Sequence, residues 1–273
     1  MRVANVMAKC VGFISRLQDP LDYRGTVFVV GVPYDESTSV LHLVTAKHVA
    51  IALGDEDFTI AFNGTDGLPM FATPGEDNRW FYHPTEEDCV DVAVMPFSTL
   101  RMDEYDVTPI PIAMFATDEK ISQYEIGIGD EIVNVGLFTP FFGSSHLIPI
   151  LRTGNIAMMP RDKVPVKNFG SMDAYLAEGR SIGGLSGSPV FCRNTVKMPT
   201  VGANQEMSFI TGLGKTHFLG LMHGHWDMPV DSSEAVRQFV NMGISIIIPA
   251  KKILEVLNNQ ELVKLREEAF KRP

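Results

Sequence analysis

Short apolar runs, many of them bounded by Gly, Pro, Asp or Asn, recur along this 273-residue chain in two groups separated by a polar stretch. Runs of this length, rich in Val, Ile and Phe and bounded by turn residues, are what half-buried strands look like. The first group predicts strands at 6–14, 26–32, 42–46, 58–62, 80–82 and 90–95. A polar segment, 99–125, interrupts the pattern with Pro109 and Pro111. The second group predicts strands at 131–137, 147–153, 156–159, 188–191, 207–211, 218–223 and 243–248. After Pro249 the spacing changes to that of one helix over 250–271, with Ile253, Leu254, Val256, Leu257, Leu262 and Leu265 recurring among charges. Two sets of about six strands and a terminal helix predict an all-β protein of two packed six-stranded antiparallel β-barrels with a C-terminal α-helix. The expected boundaries are 1–115, 116–249 and 250–273, together one functional unit.

Composition excludes several classes of partner. The formal charge of −10 argues against nucleic acid, whose phosphates require a basic surface. No apolar run approaches the roughly 20 residues that cross a bilayer, so no membrane partner is expected. The N-terminal segment lacks the continuous apolar core of a secretory signal. Cys10, Cys89 and Cys192 are odd in number and have no metal-ligand spacing. They read as free thiols in a reducing compartment, and a cytoplasmic location follows.

Against this background the stretch Gly183-Gly184-Leu185-Ser186-Gly187-Ser188-Pro189 stands out. A serine hydroxyl is a poor nucleophile unless backbone N–H groups hold the developing oxyanion and a base takes its proton. Flanking glycines allow the sharp bend that aims two N–H groups at one point. The same string is also compatible with an ordinary turn. Two upstream segments favour chemistry. Leu43-Val44-Thr45-Ala46-Lys47-His48 runs an apolar strand into a small-residue turn ending in an imidazole. Asp88-Cys89-Val90-Asp91-Val92-Ala93-Val94 sets a carboxylate at the head of an apolar strand. Imidazole, buried carboxylate and serine are the three parts of an acyl-transfer site. His42 and Asp88 are the rival base and carboxylate. Asp88 follows Glu86 and Glu87 in what reads as a solvated acidic turn. With His and Asp in the first strand group and Ser in the second, the site is expected between the lobes.

These residues resemble those of trypsin-like (chymotrypsin-fold) serine peptidases, nearer to the bacterial high-temperature-requirement type than to digestive trypsins. The resemblance rests on Thr45-Ala46-Lys47-His48-Val49, Asp91-Val92-Ala93-Val94 and Gly184-Leu185-Ser186-Gly187-Ser188-Pro189. Phe218-Leu219-Gly220-Leu221-Met222-His223-Gly224 is similar to the strand lining the family's substrate pocket. Gly243-Ile244-Ser245-Ile246-Ile247-Ile248-Pro249-Ala250 resembles the final strand and helix start of the bacterial relatives. The resemblance implies a serine endopeptidase working through an acyl-enzyme on protein or peptide substrates, without a cofactor or metal. It implies Ser186 as nucleophile, His48 as base, Asp91 as its orienter, and the N–H groups of Gly184 and Ser186 as oxyanion hole. The other expectations are a catalytically silent binding module on the same fold and a peptidase gated by a regulatory protein partner.

The chain departs from the pattern at Leu185, where digestive enzymes carry an aspartate that pairs with a newly cut N-terminus. Activation of that kind is not expected, and 161–181 reads as a loop ordered by other means. The chain is also expected to end before the peptide-binding PDZ module that the bacterial relatives add. For the substrate pocket the candidates are Arg180, Met222, His223, Gly224 and His225. A basic lining by Arg180 and His223 would favour an acidic or small side chain at the cleavage site. The competing expectations are that Arg180 points to solvent and that His223 hydrogen-bonds near Asp91. A zinc site of His217, His223 and His225 lacks a convergent third ligand. Phe141, Phe142 and Trp226 are candidates for the cleft walls or for the core.

Overall fold

The computed structural model describes residues 5–17, 22–36, 38–54, 57–75, 79–97, 103–179, 183–193, 215–230 and 238–269, with backbone alone at 227–230, 238–240 and 269. The first half holds β1 (Val11–Arg16), β2 (Asp22–Pro33), β3 (Ser39–Thr45), β4 (Phe58–Asn63), β5 (Pro69–Ala72), β6 (Ala93–Pro96) and β7 (Ile110–Pro111). They form one seven-stranded sheet in the order β5-β4-β1-β2-β3-β6, with β7 parallel to β2. Among the described residues, the expected first barrel is therefore not closed by a hydrogen-bonded ladder. The run expected as a strand at 80–82 contributes only a bridge, Phe81 to Val94, so β5 and β6 remain the two ends. Pro84, two residues beyond that run, has no backbone N–H with which to extend the pairing.

The second half holds β8 (Glu131–Gly136), β9 (Ile150–Met158), β10 (Val164–Val166), β11 (Gly170–Met172), β12 (Tyr175–Glu178), β13 (Pro189–Arg193), β14 (Thr216–Val230) and β15 (Gln238–Pro249). Six of these close into an antiparallel barrel, β12-β15-β14-β13-β8-β9, while β10 and β11 form a separate hairpin. Part of the segment expected as a loop at 161–181 is thus this hairpin and β12. The two strands expected around Gly154 are one, β9. At the N-terminus a 3₁₀ turn, Asn5–Cys10, replaces the first half of the expected first strand. The strand expected at 207–211 lies outside the described residues.

Four α-helices are present among the described residues: α1 (Lys47–Leu53), α2 (Asp118–Tyr124), α3 (Ala250–Leu257) and α4 (Gln260–Ala269). The single terminal helix predicted from spacing is broken at Asn258-Asn259, where Asn259 Oδ1 accepts the N–H of Glu261 at 2.9 Å. An Asn at that point satisfies a free N–H of a new helix start more readily than it continues the old one. α2 falls in the polar segment for which no element was predicted. Its signal is local: Thr117 Oγ1 accepts the Lys120 N–H, and Asp118 and Glu119 occupy the first turn.

Alternation along the strands distributes the core. Ile132, Val190, Cys192, Leu219 and Met222 fill the barrel. Their neighbours Val133, Phe191, Phe218 and Leu221 point out of it into the large cluster shared with the first sheet. There Phe218 lies 5.3 Å from Phe28, 4.6 Å from Phe115 and 5.8 Å from Phe191, centroid to centroid. The apolar seam between the two halves fixes their relative position, and the candidate site lies along it.

Candidate active site between sheet and barrel

β3 delivers its chain into α1, so His48 is the second residue of a helix whose N-cap, Ala46, has no side chain with which to cap it. Asp91 supplies the missing acceptor from outside. It lies two residues before β6, is wholly buried, and takes the His48 backbone N–H on Oδ1 at 2.8 Å. Its Oδ2 is 2.7 Å from His48 Nδ1 and 2.5 Å from His223 Nδ1. Burial alone would raise the Asp91 pKa. The hydrogen bonds from His223 and His48 outweigh it and hold the carboxyl below its ordinary value. Asp91 is therefore an anion locked on three donors, and both imidazoles turn their Nδ1–H toward it.

His223 reaches Asp91 because the β14–β15 register slips between Met222 and Gly224. The bulge leaves His223 as the extra residue, free to turn its ring away from the ladder. Its carbonyl oxygen accepts the Ser186 hydroxyl at 3.1 Å. One residue thus joins the serine and the carboxylate. The His48 and His223 rings lie edge to face at 5.4 Å, and Phe169, in the turn of the β10–β11 hairpin, packs against both at 6.3 and 5.3 Å.

The serine turn is held by both halves of the molecule. Gly184 and Gly187 have φ of +94° and +84°, where a side chain is strained. A methyl group on Gly187 would lie 2.2 Å from the Thr26 carbonyl oxygen. Leu185 is fully buried in the barrel core, so the turn is anchored by apolar packing. Ser186 O accepts the Thr26 N–H at 3.0 Å, and Gly184 O accepts Thr26 Oγ1 at 2.8 Å. Thr26 Oγ1 in turn accepts the Leu137 N–H at 2.9 Å, and Thr45 Oγ1 donates to Thr26 O at 2.7 Å. The N–H groups of Gly184 and Ser186 make no hydrogen bond among the described residues, nor does Ser186 Oγ bond to His48 there.

The other sequence candidates are dispersed. His42 is buried on β3 against Arg266 of α4, and burial pushes its pKa down to about 4. Asp88 is exposed. Met222 is buried in the barrel, Gly224 and His225 follow the bulge on β14, and Arg180 lies outside the described residues. His217 stacks on Tyr124 at 4.6 Å and does not converge with His223 and His225. Phe142 packs on Tyr23 at 4.7 Å, Trp226 against the main core, and Phe141 is exposed. Cys10 and Cys192 are buried free thiols pushed up to about 12 by burial, and Cys89 is half-buried. No helix among the described residues is long and apolar enough to cross a membrane.

Thr26 and Phe169 escaped sequence reading. The only signal for Thr26 was a hydroxyl leading an otherwise apolar run. Phe169 was marked only by the turn residues Asn168 and Gly170 on either side of it.

No family model matches the chain, and no curated protein matches it in sequence. Comparison with solved structures does find matches. The crystal structure of Deg5 aligns at a TM-score of 0.52 and 15% identity, over 92% of this chain and 88% of that one. The apo MamO protease domain from Magnetospirillum magneticum aligns at a TM-score of 0.55 and 11% identity, over 94% and 100%. At such identities the likeness is one of fold, and the fold is that of trypsin-like serine proteases.

Proposed function

We propose that this protein is a serine endopeptidase whose nucleophile is Ser186, whose base is His48 and whose orienting carboxylate is Asp91. The reading rests above all on one observation: His223 hydrogen-bonds Asp91 with its ring and Ser186 with its carbonyl, so all three groups share one patch. With Nδ1–H directed at Asp91, His48 keeps its Nε2 lone pair for the serine proton. Ser186 Oγ attacks the substrate carbonyl carbon as His48 takes that proton. The unengaged N–H groups of Gly184 and Ser186 receive the oxyanion. His48 then protonates the departing amine, and water repeats the sequence on the acyl-enzyme. The substrate class is protein or peptide.

The bond from Ser186 to His223 O favours a second reading, a peptidase whose nucleophile is held until a partner releases it. Magnitude decides between them. A neutral hydrogen bond contributes about 1 kcal/mol net, near a factor of five in population. Rotation about one side-chain bond overcomes that without a partner. The test is covalent labelling by a fluorophosphonate. Wild type labels, Ser186→Ala does not, and His48→Ala labels far more slowly. Absence of labelling in the wild type would remove the peptidase reading and leave a binding module on the same fold.

A further inference from the structure

Two groups of side chains among the described residues bring three metal-ligating atoms within 4.8 Å of one another: His48 with Asp91 and His223, and His83 with Glu86 and Glu255. The second group already holds a cation. Lys252 Nζ pairs with Glu86 and lies 3.2 Å from Glu255, so a metal would have to displace an ammonium from two carboxylates. Among the described residues the first group has no such occupant. Lys47, next to His48 in sequence, is turned toward the Glu87 carbonyl and carboxylate at 2.9 and 3.2 Å.

We propose that His48 Nδ1, Asp91 Oδ2 and His223 Nδ1 form a reversible, inhibitory site for a divalent transition-metal ion, zinc foremost. Two imidazole nitrogens and one carboxylate oxygen suit zinc and its first-row neighbours. Calcium and magnesium require oxygen donors. Three protein ligands are the number found in open, exchangeable sites, and structural zinc takes four. Tetrahedral ligands at roughly 2.0–2.1 Å from zinc are about 3.3 Å apart. The present Nδ1–Oδ2 separations are 2.7 and 2.5 Å, so the rings must withdraw by less than an ångström. His48 has room for this, its side chain being 36% exposed, while Asp91 is held from behind by the His48 N–H on Oδ1.

The proton balance makes the site inhibitory. Each imidazole now carries its hydrogen on Nδ1, toward Asp91. To bind the ion, each presents the Nδ1 lone pair and takes the other neutral tautomer, with hydrogen on Nε2. Two N–H···O bonds give way to three metal–ligand bonds, with no net gain or loss of protons. His48 Nε2 then bears a hydrogen and no longer accepts the one on Ser186. Metal occupancy and general-base function exclude each other. This inhibitory half rests on the peptidase reading, whereas the binding half does not.

The experiment uses the full chain as Ser186→Ala, titrated with zinc chloride by calorimetry and with cobalt(II) chloride by visible absorption. One equivalent binds with micromolar or tighter affinity and gives tetrahedral cobalt bands. His223→Asn keeps an N–H donor for Asp91 but has no imidazole, and weakens binding at least about 100-fold, no less than the loss of an outer-shell partner does. His48→Asn, at a more exposed side chain, does the same if His223→Asn unfolds. Glu255→Gln, in the other group, leaves binding unchanged. In the wild type, zinc suppresses fluorophosphonate labelling, a chelator restores it, and calcium has no effect. No binding to Ser186→Ala, binding that survives both histidine variants, or binding lost in Glu255→Gln each overturns the site. A wild type that never labels defeats the peptidase reading alone, because the titration stands without it.

Discussion

Thr26→Val is the most direct probe of how the serine turn is held. The two side chains have nearly the same shape, so the change deletes a hydroxyl and little else. That hydroxyl donates to Gly184 O at 2.8 Å and accepts from Leu137 N–H at 2.9 Å, and Thr26 is wholly buried. The variant removes the partner of the Leu137 N–H, in a buried residue, and of the Gly184 carbonyl, in a half-buried one. Each such orphan costs about 1–3 kcal/mol, so the expected loss is roughly 2–5 kcal/mol. In a protein of this size that lowers the melting temperature by roughly 5–15 °C. Function suffers separately, because Gly184 carries one of the two N–H groups assigned to the oxyanion. At a temperature where Thr26→Val is fully folded, its rate of fluorophosphonate labelling falls at least about tenfold, the equivalent of 1.4 kcal/mol in the transition state. Thr26→Ser keeps the hydroxyl and labels near the wild-type rate. Urea unfolding and labelling kinetics measure the two effects independently. A Thr26→Val protein within 0.5 kcal/mol or so of wild type, the range of a neutral surface change, would refute the clamp.

Three other perturbations test different parts of the fold. His42 is pushed down from 6.5 to about 4 by burial and then by Arg266, against the Val40 carbonyl bond. Its contribution is complete above pH 6.5 and is lost as pH falls toward 4, because only the unfolded chain takes up the proton there. His42→Gln is therefore expected to lose about 3 kcal/mol less than wild type between pH 7 and pH 4 in urea melts. An identical pH profile for the two proteins would contradict it. Gly187→Ala sets a methyl 2.2 Å from Thr26 O and 2.4 Å from Thr45 Oγ1 at a φ of +84°. A loss of at least about 3 kcal/mol follows from strain and overpacking together, read as a drop in melting temperature with labelling abolished. Lys252→Met removes the ammonium that joins α3 to Glu86 and also pairs with Glu255 one turn on in the same helix. Because both carboxylates are partly exposed and Lys163 still faces Glu86 at 3.3 Å, the expected cost is about 1–2 kcal/mol, between that of an exposed and a buried pair. Calorimetry showing no change would mean this network is not coupled to folding.

The sequence by itself determined the strand-rich character of the chain, because alternation of apolar residues between turn signals is a local property. It also marked Ser186, His48 and Asp91, because a glycine-caged serine, a strand ending in His and a carboxylate heading an apolar run are each written within a few consecutive residues. It did not determine closure. Whether β5 meets β6 depends on ladders between residues far apart in the chain, and a run that looks like a strand at 80–82 forms a single bridge instead. Nor did it distinguish one terminal helix from two, since the apolar spacing runs through Asn258-Asn259 while the capping bond of Asn259 breaks it. The tertiary structure alone decided what His223 and Thr26 do. A bulge in β14, invisible in composition or periodicity, turns the His223 ring from the ladder onto Asp91. The packing of sheet against barrel sets a strand threonine under a serine turn that lies 158 residues away in sequence. Hydrogen bonds across such distances are fixed by which surfaces bury each other, and no local reading of either segment contains that information.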